Sequence, residues 1–225
     1  SSQVAEVHAD DRPRQWTSRE LLATEQRFLV ALDRESPQHP EQHHVATALA
    51  THADLGDDQR IAVEALSTTT AAVSVLVGPA GTGKTHTIDA IRAVHEAAGI
   101  PIRGAAPSAR AALELAAATG MSTTTLHRLL AEHDHQPGGL LVIDEAGMAD
   151  IRTLTTAITN HLRTGGRVLL AGDHHQLPEI GAGGGLAYAA AHAATVAELT
   201  VNRRQRNPWE RDALAQLRDG DVAAA

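Results

Sequence analysis

Apolar positions along this chain switch repeatedly between helical and strand spacing. Thr17-Ser18-Arg19-Glu20 sets a hydroxyl cap and an acid ahead of "LLATEQRFLVAL". There Leu21, Leu22, Phe28, Leu29 and Leu32, with Glu25 among them, recur at near-helical intervals until "SPQHPEQ" breaks the pattern. A weaker helical stretch, "HVATALATHA", ends near Gly56, so residues 1–56 read as a small helical N-terminal segment. From Asp57 the pattern changes. "DDQRIAVEAL" is a capped amphipathic helix, "VSVLV" (73–77) a short buried strand, and "THTIDAIRAVHEAAG" a helix with Ile88, Ile91, Val94 and Ala98 on one face and Gly99 as its stop. "IPIRGAAP" reads as a strand, "SARAALELAAATG" and "TTTLHRLLAEH" as helices, and "GLLVIDEA" as a buried strand. "DIRTLTTAITNHLRTG" is a helix, "RVLLAGD" a strand and "TVAEL" a last strand. Strands alternating with helices predict an α/β fold, a mostly parallel sheet with helices on both faces. No internal repeat is visible.

Composition narrows this picture. The chain has 225 residues and is 43% hydrophobic but only 2% aromatic, so its core must be built from Ala, Leu, Val and Ile. It has no cysteine, which excludes disulfides and thiolate metal sites. No apolar run reaches the length of a membrane span and no signal-peptide pattern opens the chain, so a cytoplasmic protein is expected. It begins Ser1-Ser2 and ends "DGDVAAA", and reads as a piece of something longer, a monomer in isolation. A net charge of -8 excludes a broad basic field of the kind nucleic-acid binders advertise. Any such contact must be local, and Arg203, Arg204, Arg206 and Arg211 form the dense basic cluster. Sparse aromatics (Trp16, Phe28, Tyr188, Trp209) argue against an independent base-stacking platform.

Two stretches carry chemistry. Gly78-x-x-x-x-Gly83-Lys84-Thr85 is a complete P-loop between a strand and a helix. Its glycines let backbone N–H groups wrap around phosphate, and the helix N-terminus adds partial positive charge. The predicted ATP contacts are Gly78, Pro79, Ala80, Gly81, Thr82, Gly83, Lys84, Thr85 and His86. Lys84 would reach the β- and γ-phosphates, and Thr85 would offer its hydroxyl to Mg²⁺. In "LLVIDEAGM", Asp144 and Glu145 end a strand at the edge where open α/β sheets bind ligands. Asp144 would join the Mg²⁺ shell, and Glu145 would take the proton from an attacking water. Together these predict hydrolysis of ATP·Mg²⁺ without naming the work it drives.

A third stretch, "AGDHHQLP", is ambiguous. Asp173, His174 and His175, with Asp144 and the "HDH" at 133–135, could form a metal-dependent phosphoesterase site. A P-loop has no place in that mechanism, however, and the alternative gives the weight to Gln176. The remaining histidines of the 14 in the chain are scattered beside polar residues and read as solvated.

In order along the chain stand "LGDDQRIAVEAL", "VGPAGTGKT", "APSARAALELAAATG", "TTTLHRLL", "LLVIDEAGM", "LLAGDHHQLP" and "NRRQRNPWERDALAQLRDGD". This series resembles motifs Q, I, Ia, Ic, II, III and IV of superfamily 1 DNA helicases of the RecD/TraI branch. With "WTSRELLATEQRFL" ahead of it and "RNPWE" and "LRDGD" near the end, it is similar to the helicase part of MobF-type conjugative relaxases, the TraI/TrwC/TraA-like proteins. The motif-bearing match spans about residues 57–220, with a weaker one from about 16.

The resemblance implies a first RecA-like ATPase domain over 57–225. It implies that Gln59 reads the adenine, Gln176 contacts the γ-phosphate or the attacking water, and Arg204 is the motif IV arginine on the γ-phosphate. It implies that Ser108, Thr124, Thr125 and His127 lie along single-stranded DNA, that conjugative transfer proteins are partners, and that the intact protein translocates 5′ to 3′.

There are departures. Pro107-Ser108-Ala109-Arg110 stands where RecD-like helicases often carry Thr-Gly-Lys. About nine residues between Leu130 and Leu140 leave little room for a strand-separating pin. Motifs V and VI, the second RecA-like domain and the relaxase tyrosine and histidine triad are absent, and the lone Tyr188 reads as packing. The chain is therefore expected to bind ATP·Mg²⁺ weakly, hydrolyse it slowly and not unwind DNA alone. A RecD-type repair helicase, or a non-catalytic DNA-binding or assembly module regulated by ATP, fits the same motifs.

Overall fold

The structure, a computed structural model, describes residues 4–7, 15–131, 138–173 and 184–203, with side chains from Ser18 onward. Strands β1 (Val4–Val7) and β2 (Gln15–Ser18) form an antiparallel hairpin. Helices α1 (Arg19–Leu32), α2 (Gln42–Thr51) and α3 (Asp57–Thr68) follow. Then come β3 (Val73–Val77), α4 (Lys84–Ala97), β4 (Ile102–Ala106), α5 (Ala109–Thr119), β5 (Thr123–Thr125) and α6 (Leu126–Ala131). The described chain continues through β6 (Leu140–Ile143), a 3₁₀ turn at Ala146–Met148, α7 (Ile151–Leu162), β7 (Arg167–Gly172), α8 (Gly185–His192) and β8 (Thr195–Glu198).

The main sheet has six strands in the order β5-β4-β6-β7-β3-β8, and every pairing is parallel. Strands β3, β6 and β7 are buried along their whole lengths, which is why they read as continuous apolar runs rather than alternating ones. Successive side chains divide between the two faces. Val73, Val75, Val77, Leu141, Ile143, Val168 and Leu170 pack into one core, while Leu76, Leu140, Val142, Leu169 and Ala171 pack into the other. The expected mostly parallel sheet with helices on both faces is therefore present.

The N-terminal helices divide between those faces. Phe28, Ala31 and Leu32 of α1 join the first core with Leu154 and Ile158 of α7. Val45 and Ala48 of α2 join the second with Ile88, Ile91 and Val94 of α4. The N-terminal segment thus carries a hairpin besides its two helices; α1 packs on α7 and β3, and α2 packs on α3 and α4. Ser18 caps α1 as its sequence suggests, accepting from the Leu21 amide at 3.0 Å.

Within the main sheet, one element differs in kind from the sequence reading. Thr123-Thr124-Thr125 is not the first turn of a helix but the edge strand β5, in register with Gly104, Ala105 and Ala106. Three β-branched residues favour the pleated conformation over a helical start, and Thr125 then caps α6 by accepting from Arg128 N at 3.2 Å.

Register fixes the functional edge. Val77 lies opposite Gly172, and Ile143 lies opposite both Ala105 and Leu170. The P-loop, the stretch at Ser108, Asp144 and Asp173 therefore all leave the carboxyl edge of the sheet.

Candidate nucleotide site

The P-loop leaves β3 with Gly78 N donating to Gly172 O at 3.2 Å, which ties its start to the neighbouring strand. Gly81 (φ 88°) and Gly83 (φ 87°) adopt left-handed backbone that a side chain would strain. Thr82 is buried, and its hydroxyl donates to Pro79 O at 2.8 Å across the loop. Helix α4 begins at Lys84, whose ammonium donates to Gly78 O at 2.6 Å and to Pro79 O at 3.3 Å, over the mouth of the loop.

In front of the loop is a cavity of about 640 Å³. Pro79, Ala80, Gly81, Gly83, Lys84 and Thr85 line one side, Asp144 and Glu145 another, and Ala111, Glu114, Leu115 and Ala118 of α5 a third. The sequence-predicted cation, hydroxyl and two acids thus converge on one space.

Asp144 is 8% exposed. Burial, and then the neighbouring Glu145 charge, push its carboxyl up to about 6, against the pull of the Glu145 amide and the Lys84 ammonium. The Glu145 amide donates to Asp144 Oδ1 at 3.0 Å. Among the described residues Glu145 is the one non-glycine with positive φ, at 51°. A buried carboxylate disfavoured in its charged form, lining the same cavity as the threonine Thr85, gives a hard oxygen donor set that suits Mg²⁺. The residues present therefore fit the ion.

Other predicted contacts lie elsewhere. Gln59 is 1% exposed and stands behind the loop. Its Oε1 accepts from Gly56 N at 3.0 Å and its Nε2 donates to Gly83 O at 3.2 Å, so the amide is engaged with backbone instead of lining the cavity. The side chain of His86 is not in the cavity wall either. Its Nε2 lies 3.0 Å from Asp54 Oδ2. Ser108 caps α5, accepting from Ala111 N at 3.1 Å. Ala106 lies opposite Thr125, which brings Ser108, Thr124, Thr125 and the exposed His127 to neighbouring strand ends. Gln176, Arg204, His174, His175 and the 133–135 stretch lie outside the described residues. Among the described residues no cluster of three or more metal-ligating side chains occurs, and no helix is long and apolar enough to cross a membrane.

Sequence reasoning missed Asp58 and underrated Arg203. Arg203 lines the same cavity. Its Nη1 donates to Thr82 O at 2.9 Å and to Val201 O at 3.0 Å, and its guanidinium is paired with Asp58. Burial works to raise the Asp58 carboxyl, but Arg203 and the Val201 and Gln59 amides outweigh it and hold it below its ordinary value. No local pattern links two positions so far apart in the chain. The one clue was an acid next to Gln59.

The probable conjugal transfer protein TraA of Sinorhizobium fredii is 30% identical over 93% of this chain, and the match covers 20% of that protein. The ATP-dependent RecD2 DNA helicase of Deinococcus radiodurans is 38% identical over 60% of this chain and 20% of that protein. The chain thus spans about a fifth of the length of these relatives. An arterivirus helicase solved with DNA aligns at a TM-score of 0.40 and 16% identity, over 56% of this chain and 35% of that one. The model of the AAA domain family matches residues 54–225, which hold the P-loop and both acids, and the chain belongs to that family.

Proposed function

We propose that this chain is the ATP-hydrolysing motor domain of a DNA helicase or translocase, the helicase part of a conjugal-transfer protein. The observation that carries the reading is the convergence of Lys84, Thr85, Asp144 and Glu145 on one cavity at the carboxyl edge of a parallel sheet. The similarity to a TraA protein over nearly the whole chain supports the conjugal-transfer assignment.

In this reading Lys84 and the inward N–H groups of the loop bind the triphosphate. Thr85 and Asp144 would hold Mg²⁺, which would supply charge neutralisation on the triphosphate. Glu145, half-buried beside Asp144 in the cavity wall, orients the attacking water and takes its proton. Gln176 and Arg204 complete the γ-phosphate contacts. Single-stranded DNA runs over Ser108, Thr124, Thr125 and His127, at the strand ends next to the acids, and the transfer apparatus supplies the protein partners.

The test is ATP turnover by the chain with and without single-stranded DNA. Wild type should release phosphate, and Lys84→Ala should lose at least about a hundredfold of that rate, the scale expected when a positioned transition-state charge is removed. Equal rates in the two would end the motor reading. The RecD-type alternative is supported by the 38% identity to RecD2. It predicts DNA unwinding without cleavage of a transfer origin by the full-length protein.

A further inference from the structure

A P-loop turns its N–H groups toward phosphate, so its carbonyls face the protein behind and need donors there. Three successive carbonyls find them, from two distant parts of the chain. Arg203 N donates to Gly81 O at 2.8 Å, Arg203 Nη1 to Thr82 O at 2.9 Å and Gln59 Nε2 to Gly83 O at 3.2 Å. Asp58 holds the guanidinium, and its Oδ2 also accepts from Val201 N at 3.4 Å. Gly56 backs this arrangement closely, since a Cβ there would collide with Arg203 Nη2.

We propose that Arg203, held by Asp58, is a positioning residue that keeps the P-loop in its phosphate-binding shape and ties that shape to the segment following β8. The proposal rests on the nucleotide reading above. The loop passes through left-handed backbone at Gly81 and Gly83, a conformation that flexible glycines keep only when restrained from outside. Arg203 supplies that restraint on the carbonyl lying between them. A planar guanidinium can serve Thr82 O, Val201 O and Asp58 together, which a lysine ammonium on a flexible stem cannot do with the same geometry. Because Arg203 grips loop backbone, it acts on every nucleotide that uses the loop, diphosphate and triphosphate alike. The same contacts carry a change of loop shape to Val201–Arg203.

The experiment is equilibrium binding of a fluorescent ADP and a fluorescent non-hydrolysable ATP analogue to the 225-residue chain and four variants, each first checked by thermal melting. Arg203→Ala, Asp58→Asn and Gly56→Ala should each weaken both probes by about tenfold, the scale of one charge-assisted contact. Gly56→Ala is the sharpest of them, because φ at Gly56 is -74° and its backbone accepts alanine, leaving displacement of Arg203 as the effect. The Asp58→Asn/Arg203→Ala double variant should be no weaker than either single one. Loss confined to the ATP analogue in Arg203→Ala, with Asp58→Asn and Gly56→Ala silent, would make Arg203 a γ-phosphate ligand and overturn the proposal, as would unchanged binding throughout. If Arg203→Ala does not fold, Asp58→Asn and Gly56→Ala decide the question alone. A wild-type chain that binds neither probe overturns the nucleotide reading itself, and the positioning role falls with it.

Discussion

The backbone amide of Glu145 donates to Oδ1 of Asp144 at 3.0 Å, and this bond joins the two acids of the cavity through a residue in left-handed conformation. The turn lets consecutive carboxylates do different work. Asp144 is buried beside the P-loop, while Glu145 is half-buried at the cavity wall. An L-residue at φ 51° costs about 1–2 kcal/mol, so the site keeps a strained residue where a glycine would be more comfortable. Glu145→Gly should therefore raise the unfolding free energy by roughly 1 kcal/mol while lowering ATP turnover by about a hundredfold or more. Chemical denaturation and phosphate release check the two halves separately. A destabilised Glu145→Gly would show that the strain of the turn is smaller than the extra chain entropy glycine loses on folding.

Arg167 opens β7 and reaches across to the end of α3, donating from Nη2 to Leu66 O at 2.8 Å and from Nη1 to Ser67 O at 3.2 Å. These are carbonyls a helix end leaves without intrahelical donors, and a cation there also complements the helix dipole. Burial lowers the guanidinium to about 10, which still leaves it charged at neutral pH. Arg167→Met fills similar space but strands both carbonyls in the interior. It should cost about 2–4 kcal/mol, read as a lower urea midpoint. A loss under half a kcal/mol would mean that water takes over the capping.

Two buried histidines set an acid limit. His95 Nδ1–H donates to Ile91 O at 2.8 Å, and burial, reinforced by the Arg167 charge, holds the ring at about 4. His161 lies 3.3 Å from Gly139 O, and burial, with Arg103 adding to it, holds it at about 4 too. Both are neutral in the folded chain, while in the unfolded chain they protonate at the ordinary 6.5. Between those values the unfolded state binds more protons, so stability is full above pH 6.5, falls as pH falls, and has lost this contribution by about pH 4. At pH 5 each ring should account for about 2 kcal/mol of lost stability. His95→Asn keeps a donor for Ile91 but does not titrate. The drop in unfolding free energy from pH 7 to pH 5 should shrink by about that amount. An identical drop in variant and wild type would remove His95 from the account.

The sheet was legible because its central strands are buried on both faces and bounded by glycine and charge. "VSVLV", "LLVI" and "RVLLAG" have few alternatives to a parallel-sheet core. The P-loop and Asp144-Glu145 were legible because their spacing follows from phosphate geometry and their position from strand ends. What escaped was non-local or energetically balanced. Thr123–Thr125 can cap a helix or pair as a strand, and pairing with Gly104, Ala105 and Ala106 decides it. The engagement of the Gln59 amide by Gly56 and, 24 residues further on, by Gly83 is likewise a matter of the folded chain. The Asp58–Arg203 pair joins positions 145 residues apart in the chain, which no periodicity reports.

The N-terminal segment shows the same limit, and one side chain tests its standing. As a sequence, residues 1–56 hold helices with no chemistry in them and read as an appendage. In the structure Phe28 is 1% exposed and packs in the same cluster as Val75, Leu154 and Leu170, with Tyr188 of α8 meeting its ring edge-on at 6.4 Å between centroids. Without α1, that face of β3 and α7 would present apolar side chains to water. Phe28→Ala should therefore behave as a core truncation and cost about 3–5 kcal/mol. Because no residue of α1 lines the cavity, nucleotide affinity at a temperature where the variant stays folded should be unchanged. Thermal melting with parallel nucleotide binding separates the two effects. A melting temperature within a degree or two of wild type would return the segment to the status of an appendage, and the cores on the two faces of the sheet would then have to stand without it.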